Sequence, residues 1–443
     1  MIKPAKFLLP IGLLLAAAGG SPSLRAQTLI EVHESARAFD AAYQSARLQY
    51  DATLARAEQA RAGVLPTAGL LLSPTITRFE NTSPQIERNF SSQVATLSAS
   101  QPIYRPANRA TYAQSFRQID QAGAQLEAAE QELIVRASQA YFDVLAAQDT
   151  LTFVRAQKIA VSGQLDSAKR NFEVGTSTIT DTREAQARYD LVLAQEITAE
   201  NDLRVRKIAL DQLVGKAQTQ PRELALPLTL PDLVPLDAEA WVMQSESTHP
   251  TIRLALSNVE IAELEIEKAE AGHKPTLDAV ASYNITRNPS GNASTTIGTR
   301  ANSANIGLQL NVPIFAGFAT QNRIRETLAL RDKSRSDLEG ARRTVAQNTR
   351  TAYFGVLSSQ GQVAALEAAE RSSQSALDAN RLGYQVGVRI NIDVLNSQSQ
   401  LFQTKRDLAQ ARYNVLLGNL RLRQANGTLA AGDLLQINSL LVR

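Results

Sequence analysis

The sequence contains one pattern twice, and this duplication restricts the possible folds more than any other feature. Residues 140–145 read Ala-Tyr-Phe-Asp-Val-Leu, and residues 352–357 read Ala-Tyr-Phe-Gly-Val-Leu. At the same offset, the Phe-Glu-Val-Gly of 172–175 corresponds to the Tyr-Gln-Val-Gly of 384–387. Blocks so far apart keep one register when a chain has been duplicated internally, so we predict two halves that fold alike.

Each half has the same predicted order of elements: a helix, two strands, a very long helix, a tight turn and a shorter returning helix. The first repeat spans 27–213 and the second spans 249–424, with an inter-repeat segment at 214–248 and a C-terminal segment at 425–443. The predicted bounds, first repeat before second, are strands within about 67–103 and 276–315, long helices at 105–171 and 317–383, and return helices at 179–213 and 391–424.

Turn-forming residues mark the predicted ends of the shorter elements. The first helix should continue to Ala62, because Gly63 and Pro66 follow it. Strands should then flank two stretches rich in Asn, Ser, Thr and Gly, 78–92 and 286–303, which we interpret as polar loops.

The long helices show the spacing of a coiled coil. No proline follows Pro106 before Asn171, and a helix of this length would rise roughly 100 Å. Apolar and small residues recur within it at alternating steps of four and three, the period at which neighbouring helices pack. These residues are Leu133, Ala137, Ala140, Val144, Ala147, Leu151 and Val154.

The strands are too few to close a barrel within one chain. Residues 306–312 alternate apolar side chains with glycine and amides, as in a sheet with one apolar face. Two strands per repeat give four per chain, and three chains would supply twelve, an even number within the range of bacterial barrels. The predicted fold class is therefore α+β: a trimeric 12-stranded β-barrel in a membrane, continued by an antiparallel α-helical barrel.

The first residues predict export. Lys3 and Lys6 precede an apolar run that is too short for a permanent membrane anchor, and we expect a signal peptide, 1–26, cut after Ala26. The chain has no cysteine, which excludes disulfides and an acylated N-terminal cysteine. Its formal charge of +3 resides largely in the signal peptide, so nothing indicates nucleic-acid binding.

Catalysis has little support in the sequence. The three histidines are scattered without metal-ligand spacing, and no phosphate-binding loop or nucleophile elbow is present. We therefore predict no enzyme activity, no metal and no cofactor. Long helical hairpins alone would also fit a periplasmic coiled-coil adaptor or structural protein, which stays open as the alternative function at this point.

Several of these blocks together resemble the TolC family of outer-membrane efflux and type I secretion channels. The repeated Ala-Tyr-Phe motif and the turn Gly-Tyr-Gln-Val-Gly of 383–387 carry the resemblance, which covers almost the whole mature chain. It implies a homotrimer in outer-membrane lipid, a tunnel reaching into the periplasm, and passive export with a periplasmic adaptor (membrane fusion protein) and an inner-membrane transporter. One departure is Asp40-Ala41, where members usually have Asn-Pro; His249-Pro250 keeps the proline in the second half.

The resemblance also implies a gate at the helical turns. The matching positions are Thr180 and Asp181 on one hairpin and Tyr384 and Arg389 on the other. Arginine can donate to a carboxylate with two N–H groups and tyrosine can donate one bond, so these residue types suit a lock. The alternative is that Thr180 and Asp181 only cap a helix, where a hydroxyl and an acid are favoured.

A pore constriction is implied at Asp393 and Asn396, one helical turn apart. Three copies of Asp393 around one axis would attract cations, and Asn396 would add an uncharged polar ring. The alternative is that Asp393 is simply an acid in the first turn of a helix.

Overall fold

The computed structural model describes residues 26–225, 227–228, 230–231 and 233–442. Of the predicted signal peptide, 1–26, only Ala26 lies within the described residues. The elements in chain order are α1 Leu29–Phe39, α2 Ala41–Ala62, β1 Thr67–Thr82, β2 Gln85–Tyr104, α3 Pro106–Glu173, α4 Ile179–Val214, α5 Ala238–Thr248, α6 Pro250–Glu270, β3 Thr276–Asn288, β4 Thr299–Asn311, α7 Ala319–Gln385, α8 Asn391–Ala425 and α9 Asp433–Asn438.

The first helix ends at Ala62 as predicted, but it is two helices rather than one. It breaks at Asp40, whose Oδ1 accepts a hydrogen bond from the Tyr43 amide at 2.8 Å and caps α2. His249 has the same position between α5 and α6, and its Nδ1 accepts from the Thr251 amide at 3.1 Å. An N-cap side chain thus breaks the helix in both repeats, with or without a following proline.

The strands are longer than predicted, and the polar loop expected at 78–92 does not exist. β1 and β2 pair without interruption as far as Thr82 and Gln85. Arg78 forms ion pairs with Glu80 on its own strand and with Glu87 across the ladder, the latter at 2.8 Å. Cross-strand pairs of opposite charge stabilise a strand whose polar composition resembles a loop. The second loop shortens to 289–298.

The four strands form one antiparallel sheet in the order β1-β2-β3-β4. The central pair, β2 and β3, joins the two repeats. β1 and β4 are the edges, and every residue of β4 is exposed in the isolated chain. Unpaired edges of this length normally acquire a partner.

The helices form two long antiparallel hairpins, α3 with α4 and α7 with α8, and α3 also packs against α8. The largest core cluster lies midway along α3, where the buried hydroxyl of Tyr141 donates to the carbonyls of Gln27 and Arg222. Of the α3 residues with the predicted coiled-coil spacing, all are buried except Ala140, which is half-buried. No described helix is both long and apolar enough to cross a bilayer.

Candidate gate and constriction at the hairpin tips

The two hairpins turn in the same way, and glycine makes the turn possible. Gly175 and Gly387 have φ angles of +78° and +80°, a region that residues with a Cβ seldom occupy. Beyond each glycine, a backbone N–H bonds back to the helix it has left: Thr176 donates to the Asn171 carbonyl at 2.8 Å, and Val388 donates to the Gly383 carbonyl at 2.9 Å. This closure fixes where α4 and α8 begin.

Polar side chains join the two tips within one chain. Asn391 Nδ2 donates to the Asp181 carbonyl oxygen at 3.3 Å, and Asn171 Nδ2 donates to the Tyr384 hydroxyl at 3.2 Å. Higher on the hairpins, Arg188 Nη2 donates to Asn396 Oδ1 at 2.8 Å. A polar cleft of about 780 Å³ lies between the tips and is lined by residues of both hairpins.

Asp181 has a capping role in this arrangement. Thr178 and Asp181 form a capping box at the start of α4, and Ser177 Oγ also donates to the Asp181 carboxylate at 2.7 Å. Burial acts to raise the pKa of Asp181, but the hydrogen bonds from Ser177 and Thr178 outweigh it and hold the pKa below its usual value. The carboxylate therefore stays charged in mildly acidic solution. Thr180 is exposed beside it.

Tyr384 and Arg389 lie on the opposite side of the cleft. Tyr384 is half-buried against the apolar cluster that contains Leu377 and Val394. The Arg389 side chain is 58% exposed, and its Nη1 lies 3.6 Å from Asp393 Oδ2 on its own hairpin. In the described chain, no hydrogen bond connects the side chains of Thr180 or Asp181 to those of Tyr384 or Arg389.

Asp393 and Asn396 occupy the first turns of α8. Ile390 is the N-cap of this helix and supplies no side-chain bond. The Asp393 carboxylate is one-third exposed, and its ionic partner is Arg389. Asn396 is instead held by Arg188 of the other hairpin. The two positions therefore differ in which hairpin restrains them.

Comparison with known proteins identifies the kind of structure to which this site belongs. The sequence pattern of the outer membrane efflux protein family matches residues 32–216 and 241–428. The chain belongs to this family. It is 33% identical over 434 residues to outer membrane protein TolC of Vibrio cholerae, with 98% of each chain covered. It is 30% identical to proteases secretion protein PrtF of Dickeya chrysanthemi, covering 96% of this chain and 92% of that protein.

Solved structures confirm the fold class. The outer membrane protein VceC of Vibrio cholerae superimposes with a TM-score of 0.78 over 90% of this chain and 96% of its own, at 18% sequence identity. The duplicated barrel-and-tunnel architecture expected from the sequence is thus confirmed. Family membership makes the protein an outer-membrane exit channel, which excludes the alternative of a periplasmic adaptor.

Three residues that hold the tips together were missed at the sequence level. Asn391 is buried and bonds to α4, while Asn171 and Arg188 reach across to the second hairpin. Each is a polar residue on a long polar helix, so composition does not distinguish it from its neighbours. The one sequence feature that could have indicated a buried amide is the position of Asn391 directly after the apolar Ile390.

Proposed function

We propose that three copies of this chain form a passive exit duct, used for efflux or for type I protein secretion. The observation that carries the proposal is that both edge strands of the sheet, β1 and β4, lack a partner, on a chain whose two hairpins turn at one common end. Closing the sheet with two further copies removes both edges and surrounds one axis with the hairpins. The exposed apolar side chains of β1 and β4, including Leu72, Ile76 and Leu310, would then face outer-membrane lipid.

The tips would form the gate of this duct. Asp181 remains charged, and Arg389 has an exposed guanidinium that its 3.6 Å contact with Asp393 leaves free to form a second bond. In a trimer, Thr180 and Asp181 would meet Tyr384 or Arg389 across the cleft or from a neighbouring copy. Such bonds would hold the tunnel shut, and an adaptor or transporter would open it by competing for them.

Asp393 and Asn396 would form the constriction next to this gate. Three Asp393 carboxylates around one axis raise the local affinity for cations. Arg389 would moderate that charge, because it lies beside Asp393 on the same helix turn.

Partners would meet the duct at its tips. The turns present apolar side chains to solvent, among them Val174, Val386 and Val388, in an otherwise polar region. Exposed apolar residues at the end of a tunnel suit docking by a periplasmic adaptor, with an inner-membrane transporter supplying the energy. The duct itself would need neither enzyme activity nor a cofactor. PrtF is named for protease secretion, so a secreted protein is one candidate cargo here.

Single-channel recording in planar bilayers tests the gate and the channel together. Tyr384→Phe with Arg389→Ser removes the two proposed gate donors, so single-channel conductance should rise well above that of the wild type. The matched control is Tyr50→Phe with Arg47→Ser on α2, which makes the same chemical changes far from the tips. Equal conductance in all three proteins would refute the gate, and three proteins that form no channel at all would refute the duct.

A further inference from the structure

We propose that β1 pairs with β4 of a second copy in one defined register, with Ile76 directly opposite Ile306 of the partner subunit. The inference rests on the proposed trimer and adds to it the residue pairs along the seam between copies. Both isoleucines are almost fully exposed in the isolated chain, at 86% and 91%. Both lie on the edge strands, β1 and β4, which a second copy would pair.

The two repeats can be superimposed on their ladders. Thr67 pairs with Ser100 in the first hairpin, and Thr276 pairs with Asn311 in the second. The sequence gives the same correspondence independently, because Thr67 and Thr276 each follow a proline and Ser100 and Asn311 each stand two residues before one. β1 thus corresponds to β3, and β2 corresponds to β4.

The chain already contains one seam between repeats, and it serves as the template for the seam between copies. In the β2–β3 ladder, Ala95 lies opposite Ile285. Ile285 stands as far beyond Thr276 as Ile76 stands beyond Thr67, and Ala95 precedes Ser100 by the same step as Ile306 precedes Asn311. Repeating the internal seam therefore places Ile76 opposite Ile306. A barrel of equivalent repeats needs equivalent seams.

Side-chain chemistry in this register is consistent on both faces from Leu72 to Thr77. One face pairs apolar residues and the other pairs residues that are polar or lack a side chain. The apolar face joins Leu72 with Leu310, Pro74 with Leu308 and Ile76 with Ile306, and the other joins Ser73 with Gln309, Thr75 with Gly307 and Thr77 with Asn305. A slip of one residue would place apolar residues opposite polar ones along this stretch. A slip of two residues keeps each side chain on its own face of the sheet, so only the internal seam distinguishes the proposed register from that one.

The two seams differ at one point, near the junction of strands and helices. Arg105 donates two hydrogen bonds to Asp278 across the internal seam, at 2.7 and 2.6 Å. The corresponding residues at the seam between copies are Ala316 and Gly69. The seam between copies therefore has no counterpart of this ion pair.

Disulfide crosslinking can measure the register directly, because the chain has no cysteine of its own. Residues directly opposite in antiparallel strands have Cα atoms roughly 4.5–5.5 Å apart, within disulfide range, whereas diagonal neighbours are about 7–8 Å apart. Ile76→Cys with Ile306→Cys should therefore link subunits in outer-membrane fractions on mild oxidation. The registers shifted by two are tested with Ile76→Cys paired with Ala304→Cys or with Leu308→Cys.

Two further variants make every outcome decisive. Wide and narrow pairs alternate along an antiparallel ladder, so Thr77→Cys with Asn305→Cys covers the other pair type. Ala95→Cys with Ile285→Cys calibrates oxidation within one chain. We expect several-fold more crosslinking in the two predicted pairs than in the shifted ones. An amine crosslinker shows whether trimers are present. If trimers form but their disulfides form better at a shifted pair, or at neither predicted pair, the register alone is overturned. If no trimers form, the proposed duct is overturned.

Discussion

The ion pair between Arg105 and Asp278 should hold the barrel to the helical tunnel. It joins the start of α3 in the first repeat to the start of β3 in the second, through two parallel hydrogen bonds of 2.7 and 2.6 Å. The Asp278 side chain is 9% exposed and that of Arg105 is 42% exposed. Removing Arg105 therefore leaves the poorly solvated Asp278 carboxylate without compensation.

The expected magnitude lies between two measured limits. Breaking a fully buried pair costs about 3–5 kcal/mol, whereas an exposed pair contributes about 0–1 kcal/mol. One carboxylate is buried here and the guanidinium is partly solvated, so we expect a coupling energy of about 2 kcal/mol per chain.

A double-mutant cycle measures this coupling. The variants are Arg105→Gln, Asp278→Asn and both together, and the readout is unfolding of the detergent-solubilised trimer in a denaturant series. The control cycle uses Arg335 and Glu263, an ion pair of 2.8 Å in which both side chains are about half exposed. The control coupling should stay below about 1 kcal/mol. Strictly additive effects at Arg105 and Asp278 would refute the reasoning.

The same interaction can be moved to the seam between copies. Gly69→Asp with Ala316→Arg places the two groups at the corresponding positions, and a Cβ at Gly69 meets only Ser98 Oγ, at 3.8 Å. The double variant should raise the temperature at which trimers dissociate above that of either single variant. Loss of trimers in the double variant alone would contradict the equivalence of the seams.

The remaining predictions concern individual carboxylates. Asp393→Asn should weaken block of the channel by a trivalent cation added from the periplasmic side. Asn396→Asp should strengthen block clearly only when it is combined with Arg188→Gln, because Arg188 lies 2.8 Å from the Asn396 oxygen and would neutralise the new acid. Equal block in all variants would exclude both positions from the pore. Burial raises the pKa of Asp149, against the hydrogen bond that Tyr413 donates to it at 2.7 Å, so the ionised carboxylate destabilises the fold as pH rises through and above this pKa. Asp149→Asn keeps an acceptor for Tyr413 and should stabilise the protein at pH 7 but not below about pH 3.9. If the difference in unfolding free energy between variant and wild type is the same at every pH, this assignment is contradicted.

Local rules sufficed for the parts of the fold that depend on neighbours along the chain. The absence of proline and the spacing of small apolar residues predicted helices whose observed ends, Glu173 and Gln385, lie within a turn of those expected. Gly175 and Gly387 marked the turns because a positive φ is easily adopted only without a Cβ. The duplication could be recognised in the sequence because each repeat must encode the same elements through its own local residues.

Interactions between distant segments decided the rest. The ladder between β1 and β2 extends both strands into 78–92 and leaves only a turn at 83–84, because paired backbone groups and the bonds of Arg78 offset a composition that favours loops. Arg188 and Asn396 meet at the tips, and Arg105 and Asp278 meet at the junction, although each pair is far apart in sequence. Hydrogen bonds depend on distances of a few ångströms in space, and a linear sequence records residue types without the packing that brings them together.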